Sequence, residues 1–146
     1  MKIRNKAVPA VYLLLKRGEE ILIARRCNTG YEDGNYHLPS GHVEEAEFPT
    51  VALIRETREE IGIDLSQSDF RLAHVLYRTK HDETGDRIDL FFTAEKWTGE
   101  IKNMEPHKCD DLRWVKRKEL PENMTEYIRH VIECVDDNIF FSELIK

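Results

Sequence analysis

The sequence predicts an α/β (α+β) domain, a mixed β-sheet with helices packed on it. Strand-length apolar runs recur at Val8–Lys16, Glu20–Arg26, Phe70–Arg78 and Arg87–Trp97. Two other segments, Pro49–Ile61 and the chain carrying Tyr127, Val131, Cys134 and Val135, space their apolar residues at the helical period instead. Stretches rich in Gly, Asn and Asp separate these elements, as a layered sheet-and-helix fold requires. At 146 residues the chain is expected to form one domain, 1–146, with length enough for a real core.

Val8–Lys16 follows a basic start, so a secretory leader has to be weighed. The apolar run is short, contains Pro9 and lacks a small-residue cleavage site, and a buried strand is the expectation. Arg17 and Gly18 turn it into Glu20–Arg26 as a hairpin. Cys27–Tyr36, "CNTGYEDGNY", is a loop, followed by a short strand at His37–Pro39 and a second loop at Ser40–Phe48. Pro49 suits a first helical turn, where its missing N–H costs nothing, and Gly62 suits the position just past the helix end. Between the next two strands "TKHDETGD" is expected to turn, since it lacks the ligand spacing and closing Glu of an EF-hand loop. Leu112–Lys116 is a further short strand. Asn123 and Glu126 read as a capping pair for the last helix.

The balance of 22 Lys and Arg against 28 Asp and Glu gives a net charge of -6, which argues against broad nucleic-acid or acidic-membrane binding. It leaves room for a small anionic ligand whose charge a metal ion offsets locally. No stretch approaches the ~20 apolar residues of a membrane span. The three cysteines, Cys27, Cys109 and Cys134, are odd in number and widely spaced. Reduced thiols in a cytoplasmic protein are the expectation.

On the helix Pro49–Ile61, residues advance about 100° each, so Glu56, Glu59 and Glu60 share one arc while Ile54, Thr57 and Ile61 point the other way. On spacing alone this is a solvated face relieved by Arg55 and Arg58. The wider stretch Gly41–Ile63, "GHVEEAEFPTVALIRETREEIGI", changes that reading. It resembles the Nudix box, G-x5-E-x7-R-E-U-x-E-E-x-G-U with U a bulky aliphatic residue, and Gly41, Glu47, Arg55, Glu56, Glu59, Glu60, Gly62 and Ile63 fall in register. The flanking segments "ARRCNTGYEDGNYHLPSG" and "TAEKWTGEIKNMEPHKCDDLRWVKRKELP" extend the resemblance to small bacterial MutT-like Nudix enzymes over most of the chain. Departures are Thr57 at the aliphatic position, expected on a partly exposed face, with Ser40, His42, Ala46 and Phe48 where other residues are common.

The resemblance implies an α/β/α sandwich around the mixed sheet and Mg²⁺-dependent cleavage of a phosphoanhydride, with Mn²⁺ able to substitute. Glu59 and Glu60 are implied as metal ligands. Glu56 completes the set and orients or deprotonates the water, and the Ser40 carbonyl and Glu105 add oxygens. Glu100 and Asp110 compete with Glu105. Arg55, counted with the catalytic set, is expected to pair with Glu47 and hold the loop on the helix. Arg26 resembles an arginine on substrate phosphates, or else a surface ion pair. Trp114 is either a core aromatic or a base-stacking wall, and Pro121–Tyr127 corresponds to a base-pocket segment.

The substrate implied is a small nucleotide, a nucleoside triphosphate released as monophosphate and pyrophosphate, with nucleotide-pool sanitising as the role. Nucleic acid and membrane are not expected as partners, and a homodimer is one candidate assembly. ADP-ribose or dinucleoside polyphosphate hydrolysis are the alternatives, as is a nucleotide-sensing module without catalysis. No proline lies between Pro49 and Pro106, and Tyr77 matches the dinucleotide pattern only approximately.

Overall fold

The computed structural model describes residues 2–145, with the side chains of 80 and 81 outside the description. Strand β1 (Ala7–Arg17) turns at Gly18 into β2 (Glu20–Arg26), but the two pair only at Lys16↔Ile21 and Arg17↔Glu20. Beyond that they diverge. β1 runs parallel to β6 (Gly85–Ala94), and β2 runs antiparallel to β7 (Cys109–Lys116). The split is lined by two short strands: β3 (Tyr36–His37) pairs with β2, and β4 (Ser40–His42) pairs with β1. β5 (Phe70–Asp82) lies between β6 and the edge strand β8 (Phe141–Ile145), giving an eight-stranded mixed sheet.

Helices α1 (Pro49–Ile61) and α2 (Glu126–Asp136) cover opposite faces. Along β1, Val11, Leu13 and Leu15 pack into the cluster containing Leu53 and Ile61, while Tyr12 and Leu14 pack with Ile128, Val131 and Ile132. Successive side chains on a strand face opposite ways, so a strand covered on both sides reads as one unbroken apolar run. This is an α/β/α sandwich with a core on each side of the sheet.

Several boundaries differ from expectation. Ser40–His42 is strand rather than loop, because the diverging β1 offers Ala10–Tyr12 as a free edge that this segment pairs with. β5 continues through the expected turn to Asp82, and the turn narrows to Glu83 and Thr84. Asn123 does not cap α2. Thr125 is the N-cap residue with no side-chain cap, and Asn123 Nδ2 donates to the Gly34 carbonyl, tying the 121–125 loop to the loop after β2. β8 carried no sequence signal, being five residues long with only half-buried positions facing in. Thr57 sits on a buried rather than a partly exposed face, and its hydroxyl donates back to the Leu53 and Ile54 carbonyls, which satisfies it without leaving the helix. The cysteines are free thiols.

Candidate active site

Where β1 and β2 part, a cleft of about 710 Å³ opens between β4, α1 and the segment before β7. Helix α1 fixes its acidic wall. Pro49 occupies the first turn, and Gly62 ends the helix at φ 73°, a left-handed conformation in which its N–H reaches the Arg58 carbonyl. Glu56, Glu59 and Glu60 therefore project together, and all three line the cleft with Glu44 and Glu105.

Gly41 is required here by contact rather than by φ. A Cβ at Gly41 would lie 2.1 Å from Glu56 Cδ, so β4 passes flush against that carboxylate. One residue earlier, the Ser40 N–H donates to Glu60 Oε1 at 3.0 Å. Glu60 keeps a sliver of surface yet is ringed by protein. Loss of water pushes its carboxyl well above the usual carboxylate range, with Glu56 and Glu105 adding repulsion against the opposing Ser40 amide. Glu56 is pushed up by desolvation in the same way, Arg55 opposing and Glu59 and Glu105 adding. Acids held at a cost in this manner are the ones a cation would relieve.

Arg55 holds the loop below. Its Nε donates to Glu47 Oε2 at 2.8 Å and its Nη2 to Glu47 Oε1 at 3.0 Å and to the His42 carbonyl at 3.2 Å. Those hydrogen bonds, joined by one from the Glu44 N–H, hold the Glu47 carboxyl down at about 2. Arg55 Nη1 also stands 2.7 Å from Glu56 Oε1 and 3.5 Å from Glu59 Oε2. Arg55 thus touches both the support and the acidic wall.

As they stand, no three His, Cys, Asp or Glu side chains among the described residues are grouped to close on one ion. Arg55 draws Glu56, and the Ser40 amide draws Glu60. In kind, however, the donors fit a hard divalent cation: carboxylate oxygens, part of them desolvated, in a cradle that a Cβ at Gly41 would fill.

The remaining expected residues divide. Arg26 lines the cleft, its Nε donating to the Tyr31 carbonyl at 2.7 Å, and no ion pair holds it among the described residues. Glu105 lines the cleft, whereas Asp110 pairs with Arg25 at 2.7 Å and Glu100 lies outside. Ser40 reaches the site through its amide. Trp114 does not line the cleft. It stacks on Trp97 at 6.1 Å in the α1-side core, with Arg17 over its ring at 4.2 Å, and its expected contact with substrate is withdrawn.

The sequence reading missed a buried polar network on the cleft floor. Arg78 Nε donates to Asp89 Oδ2 at 2.6 Å, the Tyr12 hydroxyl donates to Asp89 Oδ1 at 3.1 Å, and the Tyr12 and Tyr127 hydroxyls share a bond of 3.1 Å. His37 completes it, Nδ1 lying 3.3 Å from the Thr125 hydroxyl. The available signal was Asp89 itself, a lone carboxylate within the apolar "RIDLFF".

The NUDIX domain model matches residues 4–134. The chain is 31% identical over 99 residues to the 8-oxo-dGTP diphosphatase of Proteus vulgaris, covering 67% of this chain and 84% of that protein. It is 32% identical over 113 residues to the NAD-capped RNA hydrolase NudC of Stutzerimonas stutzeri, covering 77% of this chain but only 38% of that relative's length. Among solved structures it superposes on the MutT NUDIX hydrolase from Burkholderia pseudomallei with a TM-score of 0.79 at 26% identity, covering 88% of this chain and 98% of that one. The MutT protein from Methanosarcina mazei Go1 shares the fold at a TM-score of 0.77 and 23% identity, covering 93% and 97%.

Proposed function

The chain belongs to the NUDIX family, and on that premise we propose that it is a Mg²⁺-dependent hydrolase releasing a nucleoside monophosphate and pyrophosphate from a nucleoside triphosphate. The observation that carries this reading is the convergence of Glu56, Glu59, Glu60 and Glu105 on one cleft that Arg26 also lines. Hydrolysis of a phosphoanhydride adds a water oxygen to phosphorus, breaks the bridging P–O bond and shifts negative charge onto the leaving phosphate. A bound Mg²⁺ or Mn²⁺ supplies the charge neutralisation on the phosphate oxygens.

Glu59, Glu60 and Glu105, with Glu56, are the residues that would hold it. Arg26 provides a fixed positive charge for a phosphate. Glu56 is the group we assign to the attacking water: it lines the cleft beside Glu59 and Glu60, half-buried and held by Arg55 flush against Gly41. Arg55 and Glu47 keep Glu56 against Gly41, so their part is positioning.

The substrate proposed is a small nucleotide rather than nucleic acid. The NudC relatives are named for NAD-capped RNA, and the chain spans about two fifths of their length. The test is a panel of nucleoside triphosphates, ADP-ribose, a dinucleoside polyphosphate, NAD⁺ and an NAD-capped RNA, each with Mg²⁺. Product analysis should show monophosphate and pyrophosphate from a triphosphate with the highest kcat/KM. Preference for any other class overturns the substrate, and binding without turnover across the panel overturns the enzyme.

A further inference from the structure

Glu56, Glu59 and Glu60 are held in place by helix α1, but Glu105 reaches the cleft from residues 101–108, which form neither strand nor helix. Hydrogen bonds fix that segment instead. The Lys102 N–H donates to the Ile61 carbonyl at 2.9 Å and the Met104 N–H to the Glu60 carbonyl at 3.0 Å. Both acceptors belong to the last turn of α1, where a carbonyl has no partner inside the helix. Pro106 then suits the second position of a turn, in which the Glu105 carbonyl accepts from the Lys108 N–H at 2.9 Å and the Cys109 N–H at 3.0 Å. Glu105 stands close enough to Glu56 and Glu60 for its charge to raise the proton affinity of both carboxyls.

One side chain ties the two arms of this turn together. Half-buried Asn103 donates from Nδ2 to the Cys109 carbonyl at 2.7 Å and accepts at Oδ1 from the Glu105 N–H at 3.1 Å. A side-chain amide carries a donor and an acceptor, and here both are used on backbone that flanks the Glu105 carboxylate. Asn103 itself does not line the cleft. We propose that Asn103 is a positioning residue: by closing the 103–109 loop it holds the Glu105 carboxylate where it can share a divalent cation with Glu56 and Glu60. The inference rests on the metal-dependent hydrolase reading above. Without the amide, the Glu105 N–H and the Cys109 carbonyl turn to water, while the backbone bonds to α1 and within the turn remain. Glu105 is then present but less often in place, and loss of such an outer partner costs about tenfold to a hundredfold in metal affinity or rate.

The test is a double-mutant cycle on Asn103→Ala, Glu105→Gln and the two combined, with two readouts. One is the Mn²⁺ concentration that raises the melting temperature by a set amount above a NaCl control, with no nucleotide present. The other is kcat and KM for the nucleoside triphosphate turned over best. Asn103→Ala should need about tenfold more Mn²⁺ and lose about tenfold in kcat, with KM within about twofold. On the Glu105→Gln background the same substitution should change neither, because the group it positions is gone. A purely structural Asn103 would lower the metal-free melting temperature equally on both backgrounds and leave the Mn²⁺ requirement alone. That result, or losses that multiply in the combined variant, overturns the inference, as does a Glu105→Gln protein that matches the unaltered one. If Asn103→Ala does not fold, Asn103→Asp takes its place, isosteric and still an acceptor for the Glu105 N–H but no donor to Cys109. Turnover of no nucleotide overturns the hydrolase, and the Mn²⁺ requirements then decide on Asn103 by themselves. Absence of any Mn²⁺-specific rise in the unaltered protein overturns the inference whatever the turnover.

Discussion

Glu60→Gln keeps the side chain's shape and its acceptor for the Ser40 N–H while deleting a desolvated charge. Metal-assisted charge stabilisation contributes several kcal/mol, and each ~1.36 kcal/mol is about tenfold in rate. Hydrolysis should therefore fall at least roughly a thousandfold, while the metal-free protein melts no lower than before, its acidic wall carrying one charge less. Near-normal turnover on the preferred nucleotide would remove Glu60 from the proposed site. His37 makes a second prediction. It is 3% exposed, and burial together with the charges of Arg26 and Arg78 lowers its pKa from 6.5 to about 3. Between those values the unfolded chain binds a proton that the folded one refuses. Stability contributed by neutral His37 is thus complete above pH 6.5 and falls as pH drops, by up to about 1.4 kcal/mol per pH unit. Urea midpoints from pH 7 to pH 4 should fall less steeply in His37→Gln. Parallel slopes in the two proteins would refute it.

At the scale of elements, legibility followed local chemistry. Glu20–Arg26 and Pro49–Ile61 carried their own boundaries, the first as a short apolar run after a turn and the second between a proline and a glycine. β4 and β8 did not, because each exists only where a distant strand leaves an edge: β1 for β4 and β5 for β8. The same limit explains the site. Glu56, Glu59 and Glu60 are neighbours in sequence and were found, whereas Arg78 and Asp89 meet across β5 and β6 and were not. Beyond its ladder with β5, β8 is tied to the interior by one hydroxyl. His74 Nδ1 lies 2.7 Å from the Ile139 carbonyl, to which it can only donate, so the neutral ring's Nε2 accepts from Ser142 at 2.7 Å. Ser142 in turn receives His130 Nε2 at 3.0 Å. Ser142→Ala strands an acceptor on fully buried His74, at a cost of about 1–3 kcal/mol. Calorimetry should show the lower melting temperature, and hydrolysis below it should be unchanged, since Ser142 does not line the cleft. An unaltered melting point would mean that β8 is held by its ladder alone.

For the molecule as a whole, the question is whether the acidic wall is a solvated face or the grip on a cation. The chain carries a net charge of -6 and six carboxylates line the cleft, of which Glu56 and Glu60 are desolvated, a cost that a cation entering beside them would relieve. Arg55 offsets part of the carboxylates' mutual repulsion at Glu56 and Glu59, yet Glu60 makes no ion pair among the described residues. A ligand that binds only the folded state stabilises it by about 2.7 kcal/mol at a hundred times its dissociation constant. Each kcal/mol moves the melting temperature of a domain this size by roughly 2–4 °C. Saturating Mg²⁺ or Mn²⁺ should therefore raise it by several degrees, and more with a non-hydrolysable nucleotide present. NaCl at matched ionic strength should not, because screening weakens repulsion without filling the coordination that desolvated carboxylates lack. Glu59→Gln combined with Glu60→Gln should abolish the metal-specific part of the rise while leaving the response to NaCl. An equal rise with metal, with salt and in the double variant would return these glutamates to an ordinary solvated surface. A rise confined to metal on the unaltered protein would identify the cleft as a site built around a divalent ion, whatever nucleotide it then receives.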